Sequence, residues 1–287
     1  MDRIAQNDMG HHVGQPDIGQ KSGHLMLITP ERVFYAGLLG RPRERCSGAF
    51  NVYVALRGGL WLSIVDGREA CGELVAVAPN VRHTITSDHR TAICIVIEPE
   101  SVSDGTFEEW TRRLSGPERD IFADRIRTAY ERLRERSCRP DLTSAEFDLM
   151  CFGEVLPRRP LDPRVIRSIA QLTRFCGDPA TAASCAGEAG LSVSRFLHLF
   201  KEETGISFRA FRAWKRARHL LHFANQDLNL AHLAQDIGYP DSTHFSHSIR
   251  RFYGLKPRSI FSGSRDLAIL ESRRPAATDS AWTQEAG

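Results

Sequence analysis

Two nine-residue strings stand 49 positions apart and share a chemistry of recognition rather than of bond-making. They are Ser192-Val193-Ser194-Arg195-Phe196-Leu197-His198-Leu199-Phe200 and Asp241-Ser242-Thr243-His244-Phe245-Ser246-His247-Ser248-Ile249. Ser192 and Asp241 can each accept from the free N–H groups at the start of a helix. Phe196, Leu199 and Phe200 in one string, and Phe245 and Ile249 in the other, recur at helical spacing and form an inward side. The outward side begins with small polar residues, which suits a helix that must enter a DNA major groove. Gly205 matches Gly254, and Ala189-Gly190-Leu191 matches Ile237-Gly238-Tyr239 one residue out of register. A glycine at 190 and 238 frees the backbone for the left-handed turn that lets two helices meet at a steep angle. A helical-repeat scaffold that binds only proteins would want the same glycines and apolar residues, and stays open as an alternative.

Around these strings the chain from Pro163 onward reads as all helix, with candidates at Arg164–Phe175, Ala180–Ala189, Val193–Thr204, Phe208–Ala224, Leu230–Ile237 and Ser242–Tyr253. The first half has a different texture. Residues 25–28, 52–56, 60–65, 74–77 and 92–97 are short apolar runs rich in β-branched side chains, and Arg57-Gly58-Gly59 and Asp66-Gly67 read as hairpin turns. Several strands at this spacing point to a sandwich or small barrel. Between the halves, one helix is predicted from Pro117, with Ile121, Phe122, Ile126, Tyr130 and Leu133 on one face. A second runs from an N-capping Ser144 to about Leu156. Such an αα-hairpin packs on the β-structure or pairs two subunits. The predicted organisation is α+β: a tail at 1–23, a β-barrel domain at 24–100, a helical hairpin at 101–157 that can serve dimerisation, an all-α domain at 158–265 and a C-terminal tail at 266–287.

Charge and cysteines narrow the class. Lys and Arg exceed Asp and Glu by seven between Leu161 and Arg265, while the rest of the chain carries a net −4. A basic domain beside a mildly acidic one suits a polyanionic partner. The seven cysteines (46, 71, 94, 138, 151, 176 and 185) are scattered with no Cys-x-x-Cys pair, so neither a disulfide framework nor a zinc knuckle is indicated. Apolar runs fall far short of the ~20 residues that span a bilayer, and the polar N-terminus lacks a signal-peptide core. A cytoplasmic protein without a membrane partner is expected.

The segment from about Asp162 to Arg265 resembles the DNA-binding domain of AraC-family transcription regulators. The resemblance rests on Ala189-Gly190-Leu191-Ser192-Val193-Ser194, Leu199-Phe200-Lys201-Glu202-Glu203-Thr204-Gly205, Arg216-Ala217-Arg218 before Leu220-Leu221, and Ala234 through Tyr239. Asp241-Ser242-Thr243-His244-Phe245-Ser246, Arg250-Arg251-Phe252-Tyr253-Gly254 and Pro257 complete it. It implies two helix-turn-helix subdomains joined by a long helix, Phe208–Ala224, with recognition helices about one DNA turn apart. Carried over by position, the base-reading residues are Ser194, Leu197 and His198 in the first unit and Ser242, Thr243, Ser246 and His247 in the second. Phosphate contacts fall to Arg195, Lys201, Arg209, Arg250, Arg251, Lys256 and Arg258. Many family members carry Arg or Gln near positions 198 and 247. Histidine makes one strong base contact and Leu197 only an apolar one, so more dependence on phosphates and DNA shape is expected.

The β-rich half is similar, less specifically, to the cupin-like sensor domain that many such regulators carry. Leu56-Arg57-Gly58-Gly59-Leu60 and Val77-Ala78-Pro79-Asn80-Val81-Arg82-His83 look like the two cupin turns. Only His83 falls where a cupin metal ligand belongs, and the run 60–65 lacks a His pair, so neither a metal nor another cofactor is expected and the chain reads as a non-enzyme. A cupin-type enzyme with an accessory basic domain is the rival reading. Phe34, Tyr53, Trp61 and His83 are the candidates for an effector pocket, and could equally be core. The resemblance implies a transcription regulator, an activator in the first instance, with promoter or operator DNA, a small-molecule effector and a second copy of the chain as partners. It leaves RNA polymerase as a further one.

Overall fold

The computed structural model describes residues 23–41, 43–135, 141–174, 180–263 and 266–271. The N-terminal tail with its His11-His12 pair, Cys138, Cys176, Phe175 at the end of one expected helix, Arg265 and the last sixteen residues lie outside them. The first half contributes β1 (Leu25–Ile28), β2 (Arg32–Leu38), β3 (Phe50–Ala55), β4 (Leu60–Ile64), β5 (Glu69–Gly72), β6 (Leu74–Val77), β7 (His83–Ser87) and β8 (Thr91–Ile97). Then come α1 (Thr106–Leu114), α2 (Arg119–Arg134) and α3 (Ser144–Phe152). The helical half holds α4 (Pro163–Leu172), α5 (Ala182–Glu188), α6 (Val193–Thr204), α7 (Phe208–His219), α8 (Leu230–Asp236), α9 (Ser242–Tyr253) and α10 (Pro257–Gly263), followed by β9 (Ala268–Glu271). No described helix is long and apolar enough to cross a membrane.

The strands, expected as a sandwich or small barrel, make two separately paired sheets, and among the described residues no strand pairing joins the two. One has six strands in the order β6-β3-β8-β2-β1-β9, and the other has three in the order β5-β4-β7. The Arg57-Gly58-Gly59 turn therefore does not close a hairpin: β3 pairs with β6 and β8, while β4, just beyond the turn, belongs to the other sheet. Asp66-Gly67 does close one, between β4 and β5, with Gly67 N donating to Ile64 O at 2.9 Å.

The large sheet is buried on both faces, which is why all six residues of β3 are buried and its alternation cannot be read from sequence. On one face Phe34, Phe50, Val52, Val54, Ile93, Ile95 and Ile97 pack against Trp110, Phe122, Ile126, Phe147 and Phe152 of the helical layer. The hairpin thus packs on the sheet, one of its two expected roles. It differs from expectation in three details. An additional helix, α1, precedes it. The α3 cap is Thr143 rather than Ser144, because Thr143 and Glu146 form a reciprocal capping box. Ile121 points outward and is 63% exposed.

The opposite face of the same sheet has two covers. At the β3–β6 end the small sheet closes it, and Tyr53, Ala55, Val75 and Val77 pack with Leu60, Leu62 and Ile85. At the β1–β2 end the helical half closes it. Met26, Ile28 and Val33 meet Ala224 and Leu267, and Ala49 meets Trp214, Ala217 and Phe252. Strand β9, which falls in the segment expected as a C-terminal tail, pairs in parallel with β1 (Leu25 opposite Ala268) and extends that end. The expected long helix Phe208–Ala224 is α-helical only to His219. Residues 220–223 continue as a tighter 3₁₀ turn.

One polar cluster is sealed in this junction. Glu98, just past β8, is fully buried and accepts from Trp214 Nε1 (2.9 Å) and Lys215 Nζ (2.5 Å), with Arg218 Nε 2.8 Å from its other oxygen. Lys215 also reaches Glu100 at 2.5 Å, and Arg218 donates to the Thr29 and Arg32 carbonyls. Burial alone drives the Glu98 carboxyl upward, but Lys215 and Arg218 outweigh it and hold the group ionised below its usual range. Burial and the neighbouring Glu98 charge push Glu100 up. Removing one member of such a buried set strands the others without a countercharge. Glu98→Ala is therefore expected to destabilise the protein by about 3–5 kcal/mol in urea unfolding, and to open the 157–163 connection to limited proteolysis. A loss under about 1 kcal/mol, the scale of exposed pairs, would contradict this role.

Candidate nucleic-acid interface

Each helix-turn-helix unit is built by local chemistry that repeats. In the first, Thr181 and Ser184 form a capping box that starts α5, and Leu191 N closes the turn on Ala186 O at 2.9 Å. Gly190 sits at φ 64°, in the left-handed region that a β-carbon disfavours. Ser192 then caps α6 by accepting from Arg195 N. In the second, Asn229 caps α8, Tyr239 N closes on Ala234 O at 2.9 Å, and Gly238 sits at φ 84°. Asp241 caps α9 by accepting from Thr243 N and His244 N, both at 2.8 Å, and pairs with the His244 ring. These hydrogen bonds from His244 hold the Asp241 carboxyl below its ordinary range. The turn is one residue longer in the second unit, which accounts for the slip in register between the copies.

Both second helices are anchored by aromatic cores. Phe196 and Phe200 pack edge-on against Phe208 with centroids 5.6 and 5.2 Å apart, beside Val165, Leu172 and Cys185. Phe245 packs against Tyr239 at 5.4 Å, with Leu233, Ile249 and Phe261 around it. Anchoring one side fixes which residues face outward. Ser194, Leu197 and His198 are exposed on α6, and Ser242, Thr243 and His247 are exposed on α9, whereas Ser246 is half-buried. The seven expected phosphate contacts, Arg195, Lys201, Arg209, Arg250, Arg251, Lys256 and Arg258, all have exposed side chains. Lys215, Arg216 and Arg218 turn the other way. Lys215 and Arg218 serve the Glu98 cluster, and Arg216 lies over the Tyr239 ring at 5.9 Å. No sequence signal separated these inward cations from the outward Arg209, since all four fall in the basic run of α7.

The four expected effector-pocket residues do not converge. Phe34 lies on the helix-covered face of the large sheet, Tyr53 on the other face, and Trp61 points outward at 48% exposure. Strand parity separates the first two: the residue that pairs opposite Tyr53 across β8 is Cys94, while Phe34 pairs opposite Ile95. Trp61 lies on β4, where Leu60, Leu62 and, partly, Ile64 turn inward. His83 and Tyr53 do meet, with the Tyr53 hydroxyl 3.0 Å from His83 Nε2 and His83 Nδ1 2.9 Å from Val81 O. Burial, with the nearby Arg45 adding to it, lowers the His83 pKa to about 4, so the ring is neutral at physiological pH.

Residues 185–262 match the family model of a helix-turn-helix domain. Over 111 residues the chain is 32% identical to the HTH-type transcriptional activator RhaS of Escherichia fergusonii, covering 38% of this chain and 39% of the relative. It is 27% identical over 109 residues to the arabinose operon regulatory protein of Escherichia coli K12, covering 37% of each. The matched spans are thus under two fifths of these regulators' own length. In three dimensions the fold is similar to ToxT from Vibrio cholerae O395, with a TM-score of 0.50 and 10% identity over 82% of this chain and 98% of that one. Residues 185–262 are thus a helix-turn-helix domain, and the chain is similar there to the corresponding segments of these two regulators.

Two outcomes test this geometry. Phe245→Asp puts a charge among Tyr239, Ile249 and Phe261, and the loss should exceed the ~3–5 kcal/mol of an aromatic truncation. Circular dichroism and urea melts should show loss of the second unit, and an unchanged melt would contradict its core. Because His83 is neutral in the fold and takes a proton readily when unfolded, stability should fall as pH drops from 6.5 towards 4, by roughly 3 kcal/mol at most from this group. His83→Gln should flatten that part of the profile. An identical slope in the variant would refute the buried neutral histidine.

Proposed function

We propose that this protein is a sequence-specific DNA-binding transcription regulator whose DNA affinity is set by a small-molecule effector. The observation that carries the reading is the duplicated unit: two capped second helices, each anchored by aromatics, with exposed Ser, Thr and His side chains at their N-terminal ends. Recognition helices of this kind enter the major groove by their N-terminal residues, and two of them one turn apart address the same side of a duplex. Exposed Arg195, Lys201, Arg209, Arg250, Arg251, Lys256 and Arg258 supply the phosphate contacts that fix register. His198 and His247 each offer one hydrogen bond to a purine edge, and Leu197 an apolar contact to a thymine methyl, so shape and phosphates carry more of the specificity.

The N-terminal half supports the regulatory part of the reading. It packs through Ala49 against Trp214 and Ala217 of α7 and Phe252 of α9, so a shift of the N-terminal half has a direct contact through which to reach α9. Subunit pairing fits the helical layer, whose outer side keeps Ile121 and Leu149 exposed. RhaS is by name a transcriptional activator, and activation, with RNA polymerase as the further partner, is the direction we assign to this chain. A cytoplasmic location follows from that function.

The test is a fluorescence-anisotropy titration on duplex DNA at several salt concentrations. Six to ten phosphate contacts predict roughly a 10³–10⁵-fold loss of affinity between 50 and 200 mM salt. On a selected site, His198→Ala and His247→Ala should each cost ~1–3 kcal/mol and relax the preference at one position. Affinity without salt dependence, as a protein-binding scaffold predicts, would defeat the proposal. So would an unchanged base preference in both variants for the reading residues.

A further inference from the structure

The exposed side of α9 leads into the N-terminal half. Thr243, His247, Arg250 and Gly254 follow one another at steps of four, three and four residues, so they share one stripe of the helix. Thr243, His247 and Arg250 are exposed along it, but Gly254 at its end is buried. The loop between β2 and β3 covers Gly254: a β-carbon there would meet the Arg43 and Glu44 carbonyl oxygens at 3.0 and 3.2 Å. Cys46 N donates to Arg251 O at 2.7 Å, and a β-carbon on Gly40 would meet Leu255 Cδ2 at 2.7 Å. The loop is tied down in its own half as well. Leu39 N donates to Arg90 O at 2.8 Å, and the Arg45 backbone exchanges two hydrogen bonds with His83, at 2.8 and 2.9 Å. Both flanks of the loop are therefore held at the C-terminal end of the reading stripe.

The charge on this loop is one-sided. Arg41 and Arg43 are exposed, and neither forms an ion pair with a described residue. The loop's one acid, Glu44, is taken up by Arg82 in a 2.6 Å ion pair. Across the contact the second unit exposes Arg250, Arg251, Lys256 and Arg258. Arg41, Arg43 and Lys256 border one cleft together with Gly254 and Leu255, so the two sets of cations form a continuous basic surface. Cations gathered in this way repel one another, and a polyanion laid across them relieves the repulsion.

We propose that the DNA interface extends into the N-terminal half, and that Arg41 and Arg43 contact the phosphates bordering the groove that α9 enters. A recognition helix enters the groove by its N-terminal residues, and its far end lies towards the backbone that walls the groove. A basic loop seated on that far end meets this wall. Contacts of this kind add affinity and fix register without reading sequence. The inference rests on the DNA-binding reading above and adds two contacts from outside the helix-turn-helix units. It also makes the N-terminal half a direct contributor to affinity, because the loop is anchored to that half on both flanks.

The experiment measures the affinity of the full chain for a selected duplex as a function of salt, in the wild type and in an Arg41→Gln/Arg43→Gln double variant. Losing two phosphate contacts should flatten the slope of log affinity against log salt by about two. The fall in affinity between about 50 and 200 mM salt then becomes roughly tenfold smaller than in the wild type. Base preference should not change, because phosphates carry no sequence. Arg41→Lys/Arg43→Lys keeps the charges and should keep the wild-type slope. Arg132→Gln removes an exposed arginine of α2, on the far side of the large sheet, and should also leave the slope unchanged. A wild-type slope in the glutamine double variant overturns this inference alone, as does equal flattening by Arg132→Gln or by the lysine pair. A wild-type chain without salt-dependent binding would instead defeat the DNA-binding reading, and this inference with it.

Discussion

The two halves of the molecule meet at a buried carboxylate. Glu98 leaves the central strand β8 and receives Trp214, Lys215 and Arg218 from a single helix, α7, which is the same helix that links the two helix-turn-helix units. Two hydrogen-bond donors and one ion-paired guanidinium from a single helix, aimed at one acid, fix both the height and the rotation of α7 on the sheet. Once α7 is placed, Phe252 and Ala217 fall against Ala49, and the exit turn of α9 falls against residues 43–46. The position of α9 therefore depends on a buried charge cluster that lies away from its exposed face. Such a set adds little net stability over an apolar substitute, but it defines one arrangement and penalises the others.

The large sheet makes that arrangement consequential. It needs cover on both faces, and the small sheet covers only the β3–β6 end of the outer one. The helical half is thus a structural part of the N-terminal core as well as a module for DNA. Strand β9 reinforces this, since the chain returns to the sheet edge after the second unit.

How much of this was legible in the sequence follows from how local each signal is. The helix-turn-helix copies were, because Gly190, Ser192, Gly238 and Asp241 act within a few residues of where they stand. Strands β2, β5 and β7 and helices α1 and α10 went unforeseen, and β9 could not be foreseen from a segment whose partner lies some 240 residues away in the chain. The division of the strands into two sheets was hidden because a turn such as Arg57-Gly58-Gly59 specifies a reversal, not which strands then pair. Phe34, Tyr53, Trp61 and His83 were grouped by type. A strand buried on both faces hides its parity, so nothing local told Phe34 and Tyr53 apart. Lys215 and Arg218 looked like the rest of the basic run, and only the fold shows that they face an acid from the other half.

The central claim is that two units of one chain read DNA together, and selection of bound sequences from a randomised duplex library tests it most directly. The account predicts enriched sites with two conserved blocks whose centres lie about 10 base pairs apart, one helical turn, in each half-site. A single short block, or no enrichment over the starting library, would contradict it.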